Sequence, residues 1–174
     1  MQKLNVLVAG STGYIGIQLL KLLSSHSKVN IKYLCGNTSV GKKISLFDRS
    51  LSKFKLPKIV KFNKNYLNNI DVVFTALPNG EAQILSNKLK SNNILIDLSA
   101  DFRISNPSIY KKFYKNTHKS IHNISKSVYF LPEIHSNKIK KYKIVSCPGC
   151  YPTSLLIPII PLLRNKLIKK NNIV

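Results

Sequence analysis

Leu4-Asn5-Val6-Leu7-Val8-Ala9-Gly10-Ser11-Thr12-Gly13-Tyr14-Ile15-Gly16, residues 4–16, is the stretch that decides the fold class of this chain. A strand predicted over residues 3–9 runs into a glycine turn, and an apolar helix continues over residues 17–23. In this context one glycine allows a tight turn, and the others let the backbone approach a pyrophosphate at the helix N-terminus. The spacing is G-x-x-G-x-x-G rather than the common G-x-G-x-x-G. The motif therefore predicts a dinucleotide site through its strand, turn and helix context.

Short apolar runs alternate with helical patterns along the rest of the chain. Strands are predicted at 29–35, 58–62, 71–76, 93–98 and 142–146, and helices at about 81–90, 107–115 and 132–140. This alternation predicts an α/β fold, a Rossmann-like doubly wound and mostly parallel sheet. Ligands of such sheets gather at the carboxyl ends of the strands. Gly10, Ala76, Ser99 and Cys150 all fall at those ends.

The residues after the second predicted strand bear on the choice of cofactor. NAD sites place an acidic residue there to hold the ribose 2′-hydroxyl. This chain has Gly36, Asn37, Thr38 and Ser39 instead, with Lys42 and Lys43 close by in sequence. No acid competes with a 2′-phosphate, so the sequence favours NADP over NAD, although the arginine usual in NADP sites is missing too.

Cys150 lies in the segment Cys147-Pro148-Gly149-Cys150-Tyr151-Pro152-Thr153, between a predicted strand and a long apolar run at 154–163. A thiol at the start of a helix lies near the positive end of the helix dipole, which favours the nucleophilic thiolate. Pro152 suits a first helical turn. The alternative is a buried cysteine that packs as a small apolar side chain. The convergence of strand ends favours the nucleophile.

Cysteine usage and charge exclude several classes of protein. Three cysteines without zinc-like spacing argue against a disulfide framework and predict no metal site. A redox pair formed by Cys147 and Cys150 stays open as an alternative, although it would leave the glycine loop without a role. The net charge of +22, from 28 basic and 6 acidic side chains, suggests nucleic acid binding. Lysine is spread along the whole chain, whereas a recognition surface clusters charge and favours arginine, so a nucleic acid partner is the weaker alternative.

No apolar run reaches the length of a membrane span, and the amino end lacks the features of a signal peptide. The sequence therefore predicts a soluble, cytoplasmic protein without a membrane partner.

Five strings, taken together and in order, resemble N-acetyl-gamma-glutamyl-phosphate reductase, the acyl-phosphate reductase of arginine biosynthesis. They are residues 9–16, 71–78, 97–103, 131–133 and 148–153. Aspartate-semialdehyde dehydrogenase shares the architecture of that family but not the strings at 97–103 and 148–153.

The resemblance implies a reaction and a set of site residues. The Cys150 thiolate would attack a small-molecule acyl phosphate, phosphate would leave, and NADPH would reduce the thioacyl enzyme to N-acetylglutamate 5-semialdehyde. Ser99 and Arg103 are candidates for substrate binding, the alternative for Arg103 being an ion pair with Asp101 or Asp97. His118 matches a family histidine, and the alternative is a surface or loop-anchoring role. The implied cofactor contacts are Gly10, Ser11, Thr12, Gly13, Tyr14, Ile15, Gly16, Asn37, Thr38, Ala76, Leu77 and Pro78.

The chain departs from the family pattern at several positions. Cys147 stands for an asparagine, Asn79 for a histidine, Phe130 for a glycine, and Pro158 falls inside the last helix, where we expect it to kink or shorten that helix. A paralogue that reduces a carrier-bound aminoadipyl phosphate is an open alternative.

The family's members are about twice as long as this chain. The resemblance therefore implies an NAD(P)-binding domain at 1–149 and, at 150–174, the nucleophile turn and first helix of an incomplete α+β catalytic domain. The general acid/base histidine would lie in the missing half. We expect this chain alone to be an inactive fragment and the full-length form to be a homo-oligomer.

Overall fold

A seven-stranded sheet forms the centre of the computed structural model, which describes residues 2–135 and 138–172. The strand order is β3-β2-β1-β4-β5-β7-β6, and every neighbouring pair is parallel. This arrangement confirms the Rossmann-like α/β fold. The strands are β1 Leu4–Ala9, β2 Val29–Cys35, β3 Ile59–Val60, β4 Val72–Thr75, β5 Ile94–Asp97, β6 Ser127–Tyr129 and β7 Ile144–Ser146.

In the described part of the chain, four α-helices and short 3-10 segments within 44–53 and 64–69 connect the strands, and a fifth α-helix follows the last strand. Among the described helices, none combines the length and the apolar character that crossing a membrane requires. The helices are α1 Tyr14–Ser24, α2 Glu81–Ser86, α3 Pro107–Tyr114, α4 Ile121–Ile124 and α5 Cys150–Arg164.

Two apolar cores cover the two faces of the sheet, as the alternation of side chains along β1 requires. Val6 and Val8 pack into one core with Leu20 of α1. Leu7 and Ala9 pack into the other, which includes Leu85 of α2. A sheet buried on both faces explains why the strands read as near-continuous apolar runs.

Two predicted helices differ from the structure. The helix expected at 81–90 ends at Ser86, where the amides of Lys88 and Leu89 bond three residues back instead of four. Beyond this turn the buried side chain of Asn93 accepts the Lys90 N–H at 2.7 Å and donates to two carbonyls of the segment before β4. In the helix expected at 132–140, the amides of Ile134 and His135 both bond to the Leu131 carbonyl at 3.0 Å, which closes a turn. A 3-10 segment follows at Lys138–Lys141, and residues 136 and 137 lie outside the described part of the chain.

Pro158 does not shorten its helix, and the alternative expectation of a kink stays a prediction. Helix α5 continues through Pro158 and Pro161 to Arg164. Each proline removes one amide donor, which leaves the carbonyls of Ser154 and Ile157 without their usual partners. Both residues are exposed, so water can bond to these carbonyls. No side chain of α5 is buried within the described chain.

Candidate active site

The glycine turn after β1 is built so tightly that two of its glycines admit no side chain. Gly10 has φ +83°, and a Cβ there would lie 2.2 Å from the Ala76 carbonyl oxygen. A Cβ at Gly16 would lie 2.2 Å from the Gly10 carbonyl oxygen. Gly13 is different, since its Cβ would meet that oxygen at an ordinary 3.6 Å. Gly10 and Gly16 thus let β4 and α1 pack directly against the turn.

A cavity of about 400 Å³ opens beside this turn, between the carboxyl ends of β1, β2 and β4 and helix α2. Eight of the predicted cofactor residues line it, namely Gly10, Thr12, Gly13, Asn37, Thr38, Ala76, Leu77 and Pro78. Four others do not. Ser11 is buried and donates its hydroxyl to the Cys35 carbonyl at 3.3 Å, Gly16 packs within the fold, and Tyr14 and Ile15 point outward from the first turn of α1.

Several residues that no sequence motif indicated line the same cavity, among them Phe62, Glu81, Ile84 and Lys88. Phe62 follows the very short β3, and the other three lie on or just after α2. Lys42 and Lys43, which follow β2 in sequence, do not line the cavity. Periodicity alone does not show which side chains of a helix face a pocket formed by other elements.

The cavity suits the phosphates of a dinucleotide. Gly13 caps α1 without a side-chain hydrogen bond, so the first amides of the helix are available to an anion. Gly13 lines the cavity, and the space where its side chain would lie is free of close contacts, so a pyrophosphate can approach the backbone closely there. The residues present therefore fit a nicotinamide dinucleotide.

Cys150 is the first residue of α5 and is exposed. Of the other two thiols, Cys35 is buried and Cys147 is half-buried. Burial raises the pKa of Cys35 to about 12. Burial also raises the pKa of Cys147 to about 11, with a further increase from the charge of Asp97 and an opposing effect of Arg103. Cys150 is thus the thiol that a substrate can reach, and it does not pack as a buried apolar side chain.

Arg103 holds the turn that carries Cys150. Its Nε donates to the Cys147 carbonyl at 2.9 Å and its Nη2 to the Leu98 carbonyl at 3.1 Å. Its Nη1 lies so close to Gly149 that a Cβ there would be 3.0 Å away. In the described chain the one salt bridge joins Lys21 to Asp48, so the alternative of an ion pair between Arg103 and Asp97 or Asp101 does not hold.

Asp97, at the end of β5, is fully buried next to the same turn. Its Oδ1 accepts hydrogen bonds from the Thr75 hydroxyl at 2.7 Å and from both the amide and the hydroxyl of Ser99. Burial raises the pKa of Asp97 more than these bonds lower it. The Ser99 hydroxyl, a candidate for substrate binding, is thus already bonded within the protein.

His118 and Asp101 anchor the loop that follows β5. The Asp101 carboxylate accepts the amides of Gly80 at 2.7 Å and Gln83 at 3.2 Å, so it caps the start of α2. His118 bonds through Nε2 to the Asp101 carbonyl at 2.9 Å, and its Nδ1 accepts the Ser120 amide at 3.1 Å. The bond from the Ser120 amide fixes the neutral tautomer that donates from Nε2. His118 therefore has the loop-anchoring position, as opposed to a surface one.

The order of the strands puts the glycine turn and Cys150 on one edge of the sheet. β1, β4, β5 and β7 are consecutive, so the two sites are three strand spacings apart, roughly 14 Å. An extended dinucleotide with its phosphates at Gly10 can span that distance. The described residues contain no group of three side chains that could hold a metal ion.

Comparisons with known proteins agree with this geometry. Residues 5–142 match the family model for the semialdehyde dehydrogenase NAD-binding domain. N-acetyl-gamma-glutamyl-phosphate reductase of Ehrlichia canis (strain Jake) is 43% identical over 99% of this chain and 50% of its own length. The enzyme of the same name from Clostridium beijerinckii is 41% identical over 96% of this chain and 48% of its own length. The resemblance that the sequence motifs indicated is confirmed.

Solved structures show the same fold. Aspartate semialdehyde dehydrogenase II from Vibrio cholerae superposes with a TM-score of 0.64, at 19% identity, over 94% of this chain and 43% of that one. The chain spans about half the length of the curated relatives it matches. The chain belongs to the semialdehyde dehydrogenase family, through its NAD-binding domain.

Proposed function

We propose that this chain provides the cofactor site and the nucleophile for NADPH-dependent reduction of N-acetyl-gamma-glutamyl phosphate to N-acetylglutamate 5-semialdehyde. The observation that supports it most is the exposed Cys150 at the start of α5, on the sheet edge that also carries the glycine turn. The 43% identity to a reductase of that name supports the choice of substrate.

The first step is acylation of Cys150. Its thiolate sulfur bonds to the acyl carbon, the bond from that carbon to the phosphate oxygen breaks, and phosphate leaves. The amides of Cys150 and Tyr151 precede the first bonded amide of the helix, that of Thr153, which donates to the Gly149 carbonyl at 3.0 Å. These unpaired first-turn amides can stabilise the oxyanion that develops on the acyl oxygen.

The second step is reduction of the thioester. NADPH, when bound, supplies the hydride that the thioester carbon accepts, and the Cys150 sulfur leaves as thiolate when the aldehyde forms. Cys147 is not expected to form a thiolate, because burial raises the pKa of its thiol and keeps it protonated at neutral pH. A protonated thiol is a poor nucleophile, which counts against a redox role for the two cysteines.

Two residues, Arg103 and Ser99, are proposed to bind the substrate. Arg103 uses Nε and Nη2 within the protein, and its Nη1 lies beside Gly149, next to the nucleophile. A guanidinium in that position suits the carboxylate or phosphate of the substrate. Ser99 would contact the substrate from the same loop, after exchange of its bond to Asp97.

The proposed reaction also needs parts of the full-length enzyme that lie outside this chain. We propose that the cofactor domain ends at residue 149 and that the catalytic domain begins at residue 150. The full-length enzyme would be a homo-oligomer, and its general acid/base histidine would lie outside residues 1–174. The chain alone would then be inactive in turnover, and acylation of its cysteine would be slow, because acid/base assistance contributes roughly 10²–10⁴-fold to rates. Reduction of a carrier-bound aminoadipyl phosphate stays the second candidate, because it uses the same nucleophile and cofactor.

Acylation is the step that tests the proposal in this chain. We expect N-acetyl-gamma-glutamyl phosphate to release phosphate in one equivalent and to add one acyl group to the protein in intact-mass spectra. Cys150→Ser should abolish the thioester adduct, because an unactivated hydroxyl is a far weaker nucleophile. Cys147→Ser is the matched control and should keep the adduct. An adduct that persists in Cys150→Ser and disappears in Cys147→Ser would contradict the proposal.

A further inference from the structure

We propose that Lys88 supplies the positive charge that faces the 2′-phosphate of NADP, and so makes this site selective for NADP over NAD. This inference rests on the proposed function, because it assumes a nicotinamide dinucleotide in the cavity beside the glycine turn. It assigns the selectivity to a residue of the α2 region rather than to the loop after β2.

The first argument is the position of Lys88 in the cavity. Lys88 lines the same cavity as Asn37 and Thr38, the residues directly after β2. That point of a dinucleotide-binding fold is where the ribose 2′-position lies. The basic side chains of the β2 loop, Lys42 and Lys43, do not line the cavity. Among the described lining residues, Lys88 is the one that carries a positive charge.

The second argument is what holds the ammonium group in place. Lys88 Nζ lies 5.5 Å from the centre of the Phe62 ring, within the range of a cation–π contact. Phe62 follows β3, and β3 pairs with the end of β2 through Leu34–Ile59 and Cys35–Val60. The aromatic ring therefore directs the charge toward the β2 side of the cavity.

The third argument is the balance of charge around the phosphate. Glu81 is the acid that lines the cavity, at the opposite end of the α2 segment from Lys88. Glu81 begins α2 and Lys88 lies in the turn after its last residue, Ser86, so the length of the six-residue helix, roughly 9 Å, separates the two positions along the chain. Within the part of the chain that the structure describes, the one salt bridge joins Lys21 to Asp48, so Lys88 pairs with no carboxylate there. A phosphate can bind there without displacing a partner.

The test is a comparison of NADPH and NADH binding to the 174-residue chain, followed by cofactor fluorescence, without turnover. We expect Lys88→Ala to raise the dissociation constant for NADPH roughly threefold to tenfold, and that for NADH less than twofold. Lys88→Arg should keep the selectivity, and Lys88→Glu should reverse it. Lys42→Ala is the matched control, an exposed lysine of the β2 loop outside the cavity, and should change neither constant. Lys88 is exposed, so circular dichroism should show that each variant keeps the fold.

The outcomes separate this inference from the function on which it rests. If the unmodified chain prefers NADPH and Lys88→Ala keeps that preference, the inference is wrong while the proposed function stands. Loss of the preference in Lys42→Ala instead would return the selectivity to the β2 loop. If the unmodified chain binds neither cofactor, the proposed function fails together with the inference.

Discussion

At the scale of single residues, Gly16 shows how a motif glycine can be essential for packing rather than for ligand contact. It lies inside α1, where alanine is ordinarily the better residue by about 1 kcal/mol. A Cβ at this position would lie 2.2 Å from the Gly10 carbonyl oxygen. The backbone of the turn must move to relieve that contact, and overpacking of this kind costs about 1–3 kcal/mol.

We therefore expect Gly16→Ala to lower the free energy of unfolding by about 1–3 kcal/mol, measured by urea denaturation. Gly13→Ala is the internal control, because its Cβ would meet the same oxygen at 3.6 Å and its φ of −73° suits any residue. The control should cost about 0.5 kcal/mol, because alanine is a poorer N-cap than glycine, and should therefore destabilise less than Gly16→Ala. Equal destabilisation by the two substitutions would refute the packing argument.

Arg103 combines a structural position with a candidate role in binding. Its two hydrogen bonds connect the loop after β5 to the end of β7. These bonds hold the Cys147 carbonyl, three residues before the nucleophile, so they fix the direction from which α5 starts. The sequence motif at 97–103 marked this arginine as a site residue, but the sequence did not show that its first partners are backbone carbonyls.

At the scale of elements, the loop after β5 should make stability depend on pH through His118. Burial lowers the pKa of His118, so the folded protein keeps this imidazole neutral at a pH where the unfolded chain takes up a proton. The stabilisation is complete above the unfolded pKa of about 6.5 and is lost as the pH falls toward the lower pKa of the folded state. One proton sets a limit of about 1.4 kcal/mol per pH unit.

We expect the free energy of unfolding to fall between pH 7.5 and pH 5, and we expect this fall to be smaller in His118→Gln. Asp97 has a raised pKa and contributes the opposite slope, but it does so in both proteins, so the difference between them isolates His118. His122→Gln, at an exposed position, is the control. The same pH slope in His118→Gln and in the unmodified protein would show that His118 does not carry the effect.

The elements that the sequence mispredicted share one physical cause, which is the capture of backbone groups by side chains or turns. Beyond the turn that ends α2, Asn93 takes the Lys90 amide, and the Leu131 carbonyl takes two amides of the segment that was expected to be helical. Strand β6 has three half-buried residues, too few for an alternating pattern to be detected. Long apolar strands and the glycine turn were predicted because their signals are local.

At the scale of the whole molecule, the sequence indicated which residues gather at the carboxyl ends of the strands. It did not indicate which of them line the cofactor cavity and which of them hold the turn that carries Cys150. Strand ends and motifs predicted eight of the residues that line the cavity, among them Gly10, Asn37 and Pro78, and the position of Cys150 at the start of a helix. They could not predict Phe62 or Lys88, because these side chains reach the cavity only once β3 and α2 are packed on the sheet. Contacts between elements distant in sequence leave no periodic signal.

The charge of the whole molecule supports a final prediction. The chain carries a net charge of +22, and one salt bridge is found in its described part. Mutual repulsion of the lysines destabilises the compact state, and salt screens it, because the Debye length falls from about 30 Å at 0.01 M to about 3 Å at 1 M. We expect the melting temperature to rise by at least about 3 °C between 0.02 M and 0.5 M sodium chloride, measured by differential scanning calorimetry.

A charge-reduced variant separates screening from other effects of salt. Lys3, Lys55, Lys61 and Lys112 are exposed and lie outside the cavity, and each change to glutamate lowers the net charge by two. The fourfold variant should melt at a higher temperature than the unmodified chain in low salt and should respond less to added salt. If salt raises the melting temperatures of both proteins equally, a preferential effect of the salt on apolar burial explains the rise, and charge repulsion does not.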